Sequence, residues 1–581
     1  MRKRRLSLYG LAFVAGTVAI VTAARRYAGR GPAFTGVSDS TLLAAPDDST
    51  DWRINGRTWD NTRFAPAAQL TPSNVAGLTP AWRHSSAPDG DSSVKSKARM
   101  RVHISTPIVS AGVIYYTAAG NLAMAVDART GRELWRYAHD VGWTAICCNT
   151  VNRGLAAWGD RLFMATLDAK LVALSSRNGR VLWTNTVADP RDGYSFTMAP
   201  LVVQGRVIVG ASGGEFGARG FVDAYDAETG RRLWRFWTVP SPDEGGWWGR
   251  WVTRTPDGDS LPRAIERERA DSARFADAWR HGGGGVWTTP AYDPKLGLIY
   301  FGTGNPSPVL DGGSRPGDNL YTSSLVALDP RTGTLRWYYQ LVPHDLWDFD
   351  AASAPVLFDL DRNGQRIPAL AHASKAGWLY VLDRRSGQRL TRSEPLVPQR
   401  NLFAPPTREG TRSAPSGYGG TNWSPIAYSP RTGWIYVVAM HDEMTFVLDP
   451  APYRGKGVRY LGGSMIVGPD SAKWGVVQAV DPGTGAIRWT ARWPHPLHQS
   501  GTLVTGGDLV FFGEPEGELV ALDARTGNRL WSHQVAAKLQ APPISYMLDG
   551  RQYVAVVSPD GLVAFALPGA ALPGAGVPTA R

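Results

Sequence analysis

Ala125-Val-Asp-Ala-Arg-Thr-Gly-Arg-Glu-Leu-Trp135 is the stretch that decides the fold. An apolar segment enters it, Asp-x-x-Thr-Gly turns the chain, and a second apolar segment leaves and ends on tryptophan. Aspartate caps the backbone N–H groups of the turn, and glycine takes the position that needs a positive φ. The unit is therefore a β-hairpin. It returns as Ala173…Trp183, Ala224…Trp234, Ala327…Trp337, Ala479…Trp489 and Ala521…Trp531. Val381-Leu-Asp-Arg-Arg-Ser-Gly-Gln-Arg-Leu-Thr391 is a worn copy with threonine in the tryptophan place, and Pro80-Ala-Trp82 reads as the end of a further one. Repeats of this length, each unable to bury both faces alone, specify four-stranded blades stacked around an axis. The eight stations predict an all-β, eight-bladed β-propeller with tryptophan-docking motifs. The blade tryptophans argue fold, not chemistry.

Composition agrees. Gly 65, Pro 42 and Trp 23 in 581 residues describe a turn-rich β chain, not a helical one. Residues 1–30 open on Met1-Arg-Lys-Arg-Arg and continue as a mostly apolar run from Leu6 to Ala24 before Arg25-Arg26, which predicts an export signal or a signal anchor. The expected organisation is 1–30 signal or anchor, 31–50 linker, 51–568 propeller and 569–581 disordered tail. The expected location is the periplasm, soluble or held by the N-terminal segment. Seven of the twelve net positive charges lie in residues 1–30, and no Lys/Arg block interleaved with aromatics follows. Nucleic acid is therefore not an expected partner. Asp51-Trp-Arg…Phe64 is expected to pair with the last blade, and the polar stretches 239–284 and 393–420 to cover one end of the channel.

Several segments break the repeat. Cys147-Cys148 are the only two cysteines of the chain, and they are adjacent. Oxidised, they close a tight local ring that persists in an oxidising compartment; two reduced, buried thiols are the other reading. Ala211-Ser-Gly-Gly-Glu-Phe-Gly217 and Phe301-Gly-Thr-Gly-Asn-Pro306 put Glu215 and Asn305 on glycine-rich turns, and Pro343-His-Asp-Leu-Trp-Asp-Phe-Asp350 is rich in carboxylates. Such oxygen donors on close-approach turns suit a hard cation such as Ca²⁺. The competing reading is that each is a blade turn capped by its own Asp or Asn.

Together with Cys147-Cys-Asn-Thr-Val-Asn-Arg153 and Asp51-Trp-Arg…Asn-Thr-Arg-Phe64, these motifs carry a resemblance. From about Asp51 to Pro568 the chain resembles the pyrroloquinoline-quinone (PQQ)-dependent quinoprotein alcohol dehydrogenases, the group that includes methanol dehydrogenase. The resemblance implies an eight-bladed propeller that oxidises an alcohol, a polyol or a sugar with PQQ as acceptor. It implies a disulfide Cys147–Cys148 on one face of the quinone and Trp287 on the other. Arg153, Thr197, Ser212, Gly213, Gly214 and Asn422 match cofactor contacts. Glu215, Asn305 and Asp348 match the metal ligands, Asp348 also the catalytic base, and Lys375 the cation beside the quinone oxygens. Ca²⁺ is the expected ion. A lanthanide is the second candidate because Asp350 adds a carboxylate two residues after the base. The sequence departs from the family at Ile104, where a glutamate is frequent, at Gly285 for threonine and at Gln499 for tryptophan. No Cys-x-x-Cys-His motif occurs, so electrons are expected to leave to a separate c-type cytochrome or a membrane quinone. A non-catalytic periplasmic propeller that binds proteins is the alternative; it would not need Glu215, Asn305, Asp348 and the cysteine pair together.

Overall fold

The computed structural model describes residues 36–87, 102–142, 147–469, 472–497 and 500–569. The expected signal or anchor, Gln499 and the tail beyond Gly569 lie outside them. No helix among the described residues is long and apolar enough to cross a membrane.

The described chain is all β, with a few short helices. It forms seven four-stranded sheets, one five-stranded sheet and one three-stranded sheet. In chain order, sheet 1 runs from Ile108–Ser110 to Glu133–Ala138, sheet 2 from Ala156–Trp158 to Val181–Thr186, and sheet 3 from Leu201–Val203 to Arg232–Trp237. Sheet 4 runs from Ala291–Asp293 to Leu335–Gln340 and sheet 5 from Val356–Arg362 to Arg389–Arg392. Sheet 6 runs from Ala427–Ser429 to Ile487–Trp493 and sheet 7 from Leu503–Thr505 to Arg529–Gln534. Sheet 8 joins the C-terminal strands Ile544–Leu548, Arg551–Ser558 and Gly561–Ala566 to Thr79–Ser85 from near the N-terminus. The strand predicted around Pro80-Ala-Trp82 thus completes the last sheet. The three-stranded sheet, Thr411–Ser413, Met444–Leu448 and Gly463–Val467, is built from the long connection before sheet 6 and an insertion within it.

Each repeat turn behaves as its residues dictate. Asp127 accepts from the backbone N–H of Arg129 at 2.9 Å and of Thr130 at 3.0 Å. The following tryptophan reaches the next sheet. Its indole Nε1 donates from Trp82 to Ala128, from Trp135 to Ser176, from Trp183 to Ala227, from Trp234 to Pro330, from Trp337 to Arg384, from Trp489 to Ala524 and from Trp531 to Leu78. Between sheets 5 and 6 the threonine of the worn copy takes this part, Thr391 Oγ1 donating to Gly483 O at 3.2 Å. The turn glycine is obligatory for a second reason: a Cβ on Gly131 (φ +72°) would stand 2.5 Å from the Trp82 ring.

Residues 52–65 do not pair with sheet 8 alone, as expected from the sequence. They thread among the inner strands. Trp52 bridges Val109 of sheet 1, Trp59 donates to Val202 of sheet 3, and Asn61 donates to Pro290 and Pro355 before sheets 4 and 5. Tyr428 of sheet 6 donates to Thr62, Phe64–Ala65 runs parallel to Val504–Thr505 of sheet 7, and buried Arg63 donates to Pro543 before sheet 8. One short segment touches so many sheets because their inner strands surround it. The stretch 31–50, expected as a linker, is folded against sheet 2 from Val37 onward: Val37 bridges Gly159, and the helix Asp39–Leu43 buries Leu42.

Candidate active site

Three loops at one end of the sheets leave the same topological position, the end of a second strand. After Arg206–Gly210 comes Ala211–Glu215, after Leu298–Gly302 comes Thr303–Asn305, and after Gln365–Ala373 comes Ser374–Lys375. The connections between sheets open at that same end and supply Cys148, Arg153, Trp287, Asp348, Asp350 and Asn422. All these side chains, with Thr197, Ser212, Gly213 and Gly214, line one cavity of about 270 Å³. Every predicted site residue lies there except Cys147, which is buried and has its sulfur beside that of Cys148.

The acidic half of the cavity is organised around Lys375, which is 5% exposed. Its Nζ donates to the backbone oxygen of Asp348 at 2.7 Å and to Asp348 Oδ2 at 3.1 Å, and lies 3.8 Å from Asp350 Oδ1. Asp350 also accepts from the backbone N–H of Asn305 at 2.9 Å and from Trp287 Nε1 at 3.1 Å. Asn305 commits Nδ2 to Pro306 O, so Oδ1 is the atom left for a ligand. Desolvation pushes the Asp348 carboxyl well above the usual carboxylate range; Lys375 opposes this, and Asp350 and Glu215 add to it. Desolvation and then Asp350 raise Glu215 too. Lys375 is raised because Asp348 and Asp350 outweigh its own desolvation. Excess negative charge in a desolvated cavity is what a metal cation relieves. Glu215, Asp348 and Asp350 do not bring their ligand atoms within 4.8 Å of one another; Lys375, Trp287 and the Asn305 N–H hold the two aspartates.

The other half is a cationic, glycine-floored cradle. Arg153 Nη1 donates to Thr197 Oγ1 at 2.8 Å, and Thr197 Oγ1 lies 3.0 Å from Ser212 Oγ. Among the described residues no carboxylate pairs with Arg153 and its Nε has no hydrogen-bond partner, and desolvation lowers it to about 9. An unpaired guanidinium in a cavity wall is costly and implies an anionic ligand. Gly213 (φ +108°) and Gly285 form the floor: a Cβ would stand 2.0 Å from Gly193 O at the first and 2.8 Å from Ala211 O at the second. The donor set and floor fit a flat polycarboxylate such as PQQ, and the acidic half fits a hard cation.

Some of the site was not legible in the sequence. Trp423 forms the second wall of Arg153, whose guanidinium lies 5.0 Å from the ring centroids of both Trp287 and Trp423. Asn149 and Gly304 also line the cavity. Asp345 is fully buried under the Asp348 loop, accepting the N–H of Trp347 and of Phe349 at 2.8 Å each, and burial pushes it up to about 6. Asn422 lines the cavity, but both ends of its amide are engaged within its own turn, by Tyr418 O and the Trp423 N–H. Ile104 is buried and does not line the cavity. Asp348 itself holds φ at +64°, a conformation rare for a non-glycine residue and frequent at functional sites.

Comparison with known proteins shows the family of the chain. Residues 52–401 match the family model described as glucose/ethanol/alcohol dehydrogenase, β-propeller domain. The quinoprotein alcohol dehydrogenase PedH of Pseudomonas putida is 36% identical over 551 residues, covering 91% of this chain and 89% of that protein. The chain belongs to the quinoprotein alcohol dehydrogenase family. The quinoprotein ethanol dehydrogenase of Pseudomonas putida is also 36% identical, over 85% of this chain and 83% of the relative. Among solved structures, the quinohemoprotein alcohol dehydrogenase ADHIIG of Pseudomonas putida HK5 superposes with a TM-score of 0.80 at 30% identity, covering 94% of this chain and 84% of that one. A europium-containing methanol dehydrogenase superposes at 0.77 and 31%, covering 89% and 91%. Residues 460–567 separately match a model described as outer membrane protein assembly factor BamB. That span holds the last strand of the three-stranded sheet, the last two strands of sheet 6 and the strands of sheets 7 and 8 from Leu503 to Ala566, none of which supplies a side chain to the cavity.

Proposed function

We propose that this quinoprotein oxidises an alcohol to its carbonyl compound in the periplasm, with PQQ and a hard cation held in the 270 Å³ cavity. The observation that carries the reading is the split of that cavity into an anion-seeking half around unpaired Arg153 and a cation-seeking half around Glu215, Asp348 and Asp350. The eight larger sheets form an eight-bladed ring whose junctions are the seven tryptophan contacts and Thr391.

In this reading Arg153, Thr197, Ser212 and the backbone around Gly213 and Gly214 hold the cofactor's carboxylates and carbonyls. Trp287 covers one face, and a Cys147–Cys148 disulfide lies against the other. Glu215, Asn305 Oδ1, Asp348 and Asp350 ligate the ion, Ca²⁺ or a trivalent lanthanide; a third carboxylate at the site and the europium-containing neighbour support the trivalent ion. When bound, the quinone supplies a two-electron acceptor and the ion a Lewis acid that polarises it. Asp348, aimed by its strained backbone and by Lys375, takes the substrate hydroxyl proton. Asp345 keeps the Asp348 loop in shape by pinning two of its N–H groups. Lys375 also offers positive charge where the cofactor's oxygens gain electrons.

The packing behind Asp348, outside the cavity lining, is apolar. A Cβ on Gly417 would lie 3.1 Å from Met465 Sδ, 3.4 Å from Met444 Sδ and 3.5 Å from Asp348 Cβ. With no haem motif in the chain, electrons pass to an external carrier, a c-type cytochrome or a membrane quinone. Reconstitution tests the whole: purified protein is supplied with PQQ and either Ca²⁺ or La³⁺, and alcohol-driven dye reduction is followed. Activity with one ion only assigns the metal. PQQ binding without turnover on any alcohol would reject the activity while keeping the fold.

A further inference from the structure

Sheet 7 carries a second group of metal-ligating side chains, outside the catalytic cavity. His495 lies just after the outer strand Ile487–Trp493 of sheet 6, and Glu514 and Glu516 lie in the turn between Leu509–Gly513 and Glu518–Asp523. One ligand atom from each falls within 4.8 Å of the other two, the one such trio among the described residues. The Glu514 side chain is 3% exposed. Its Oε1 is directed at His495 Nε2, and among the described residues neither of these two atoms has a further hydrogen-bond partner, while the Glu516 N–H donates to the Glu514 carboxylate. Glu516 Oε1 stands 3.6 Å from the other ring nitrogen of His495 on a side chain that is 74% exposed, so the trio is open to solvent on one side. Burial raises the Glu514 carboxyl; His495 opposes this, and Glu516 and Glu518 reinforce it.

Topology explains how the group arises. Glu514 follows the second strand of its sheet, the same position that delivers Glu215 in sheet 3, Asn305 in sheet 4 and Lys375 in sheet 5. It lies three sheets around from Asn305, beyond reach of the cavity, and meets the connection that leaves sheet 6 instead. A buried carboxylate oxygen set directly against an imidazole nitrogen needs either a proton or a cation between the two. An imidazole and two carboxylates with an open side are the ligand set of a borderline first-row ion, completed by water. Ca²⁺ and lanthanides, which take oxygen donors, are served by the other site.

We propose that His495, Glu514 and Glu516 form a peripheral site for a divalent transition ion, with Zn²⁺ as its best-matched occupant. The ion ties the connection after sheet 6 to the turn of sheet 7 at the end of the molecule where the catalytic cavity opens.

The test is a Co²⁺ titration of the full chain, read by visible ligand-field bands and reversed by Zn²⁺. A Glu215→Gln background removes the catalytic cation site as a competitor. Saturable binding of one Co²⁺ that survives Glu215→Gln, and that weakens about tenfold or more in both His495→Gln and Glu514→Gln, is expected. His495 is partly exposed, so its variant keeps the test valid if Glu514→Gln fails to fold by circular dichroism. Affinity unchanged in folded His495→Gln, or no saturable binding in the parent, overturns the proposal. Neither result bears on the PQQ reading, which the reconstitution assay judges separately.

Discussion

The two ends of the sheets use the same strands for opposite purposes. At the Thr-Gly end the copies do the same local work: Asp127, Asp226, Asp481 and Asp523 each accept backbone N–H groups of their own turn, and Ser175 takes that part in the second copy. Tryptophan or Thr391 then fastens the turn to its neighbour. At the other end the corresponding loops carry Glu215, Asn305, Lys375 and Glu514, which differ from one another; Asn305 Nδ2 donates to Pro306 O and the Glu514 carboxylate accepts the Glu516 N–H, but none repeats the work of another. The first end is repetitive because it serves stability, where one good solution can be reused. The second is irregular because a catalytic cavity needs a different group at each point of its wall, and several of these groups are held at an energetic cost.

That contrast can be broken experimentally. The largest effect is expected at Asp348. Asp348→Asn removes the base and leaves the sheets untouched, so turnover falls by about 10²–10⁴-fold while the thermal midpoint stays level or rises. A parallel loss of midpoint would mean that Asp348 serves the fold instead. Trp531→Ala attacks the opposite end. Removing a core indole that also closes sheet 7 onto sheet 8 should cost about 3–5 kcal/mol in denaturant unfolding, with kcat per folded molecule preserved. Arg153→Met sharpens the comparison, since it should do the two things in opposite directions. It relieves an unpaired desolvated cation, so the cofactor-free protein should unfold no more easily. It also deletes charge-assisted hydrogen bonds to an anion, worth about 1.5–3 kcal/mol, so PQQ affinity measured by fluorescence titration should drop by roughly ten- to a hundredfold.

Smaller effects separate substrate from scaffold. Gly417→Ala narrows the space between Asp348 and the two methionines. The added methyl presses on Asp348 from outside the cavity, so kcat/KM should fall by a similar factor for bulky alcohols and for ethanol, and a loss of about 1–3 kcal/mol confined to bulky alcohols would instead place Gly417 beside the substrate. The smallest effect belongs to Glu133, at the junction of sheets 1 and 8. Burial alone would raise this carboxyl, but hydrogen bonds from His84 and Arg136 hold it down to about 2. Its folded pKa is thus below that of the unfolded chain. The stability it contributes is complete above the ordinary carboxylate range and is lost as pH falls from about 4.5 toward 2. Urea midpoints of the parent and of Glu133→Gln should converge as the pH is lowered through that window; curves that stay parallel would show that the pair contributes nothing.

The repeat made the sheets and their tryptophan contacts legible; the quoted loop motifs pointed to Cys148, Glu215, Asn305, Asp348 and Asp350, and the family resemblance they carry pointed to Arg153, Thr197, Trp287, Lys375 and Asn422. What stayed hidden shares a cause. Trp423 reads as one more aromatic until Arg153, 270 positions earlier, is placed against it. Asp345 reads as part of a carboxylate run, yet it is buried under the loop and does not face the cavity. The role of residues 52–65 was misjudged because their partners are spread over the inner strands of many sheets and follow no local pattern.

The sequence by itself therefore determined the hairpin unit, its turn chemistry and the residue that fastens each sheet to the next, since all of these act within a dozen residues or between adjacent repeats. Only the tertiary structure decided which side chains meet at the far end: Lys375 between Asp348 and Asp350, Arg153 between two tryptophans, His495 against Glu514. Those meetings depend on how sheets hundreds of residues apart in the chain are disposed about a common centre. No local interaction encodes that arrangement.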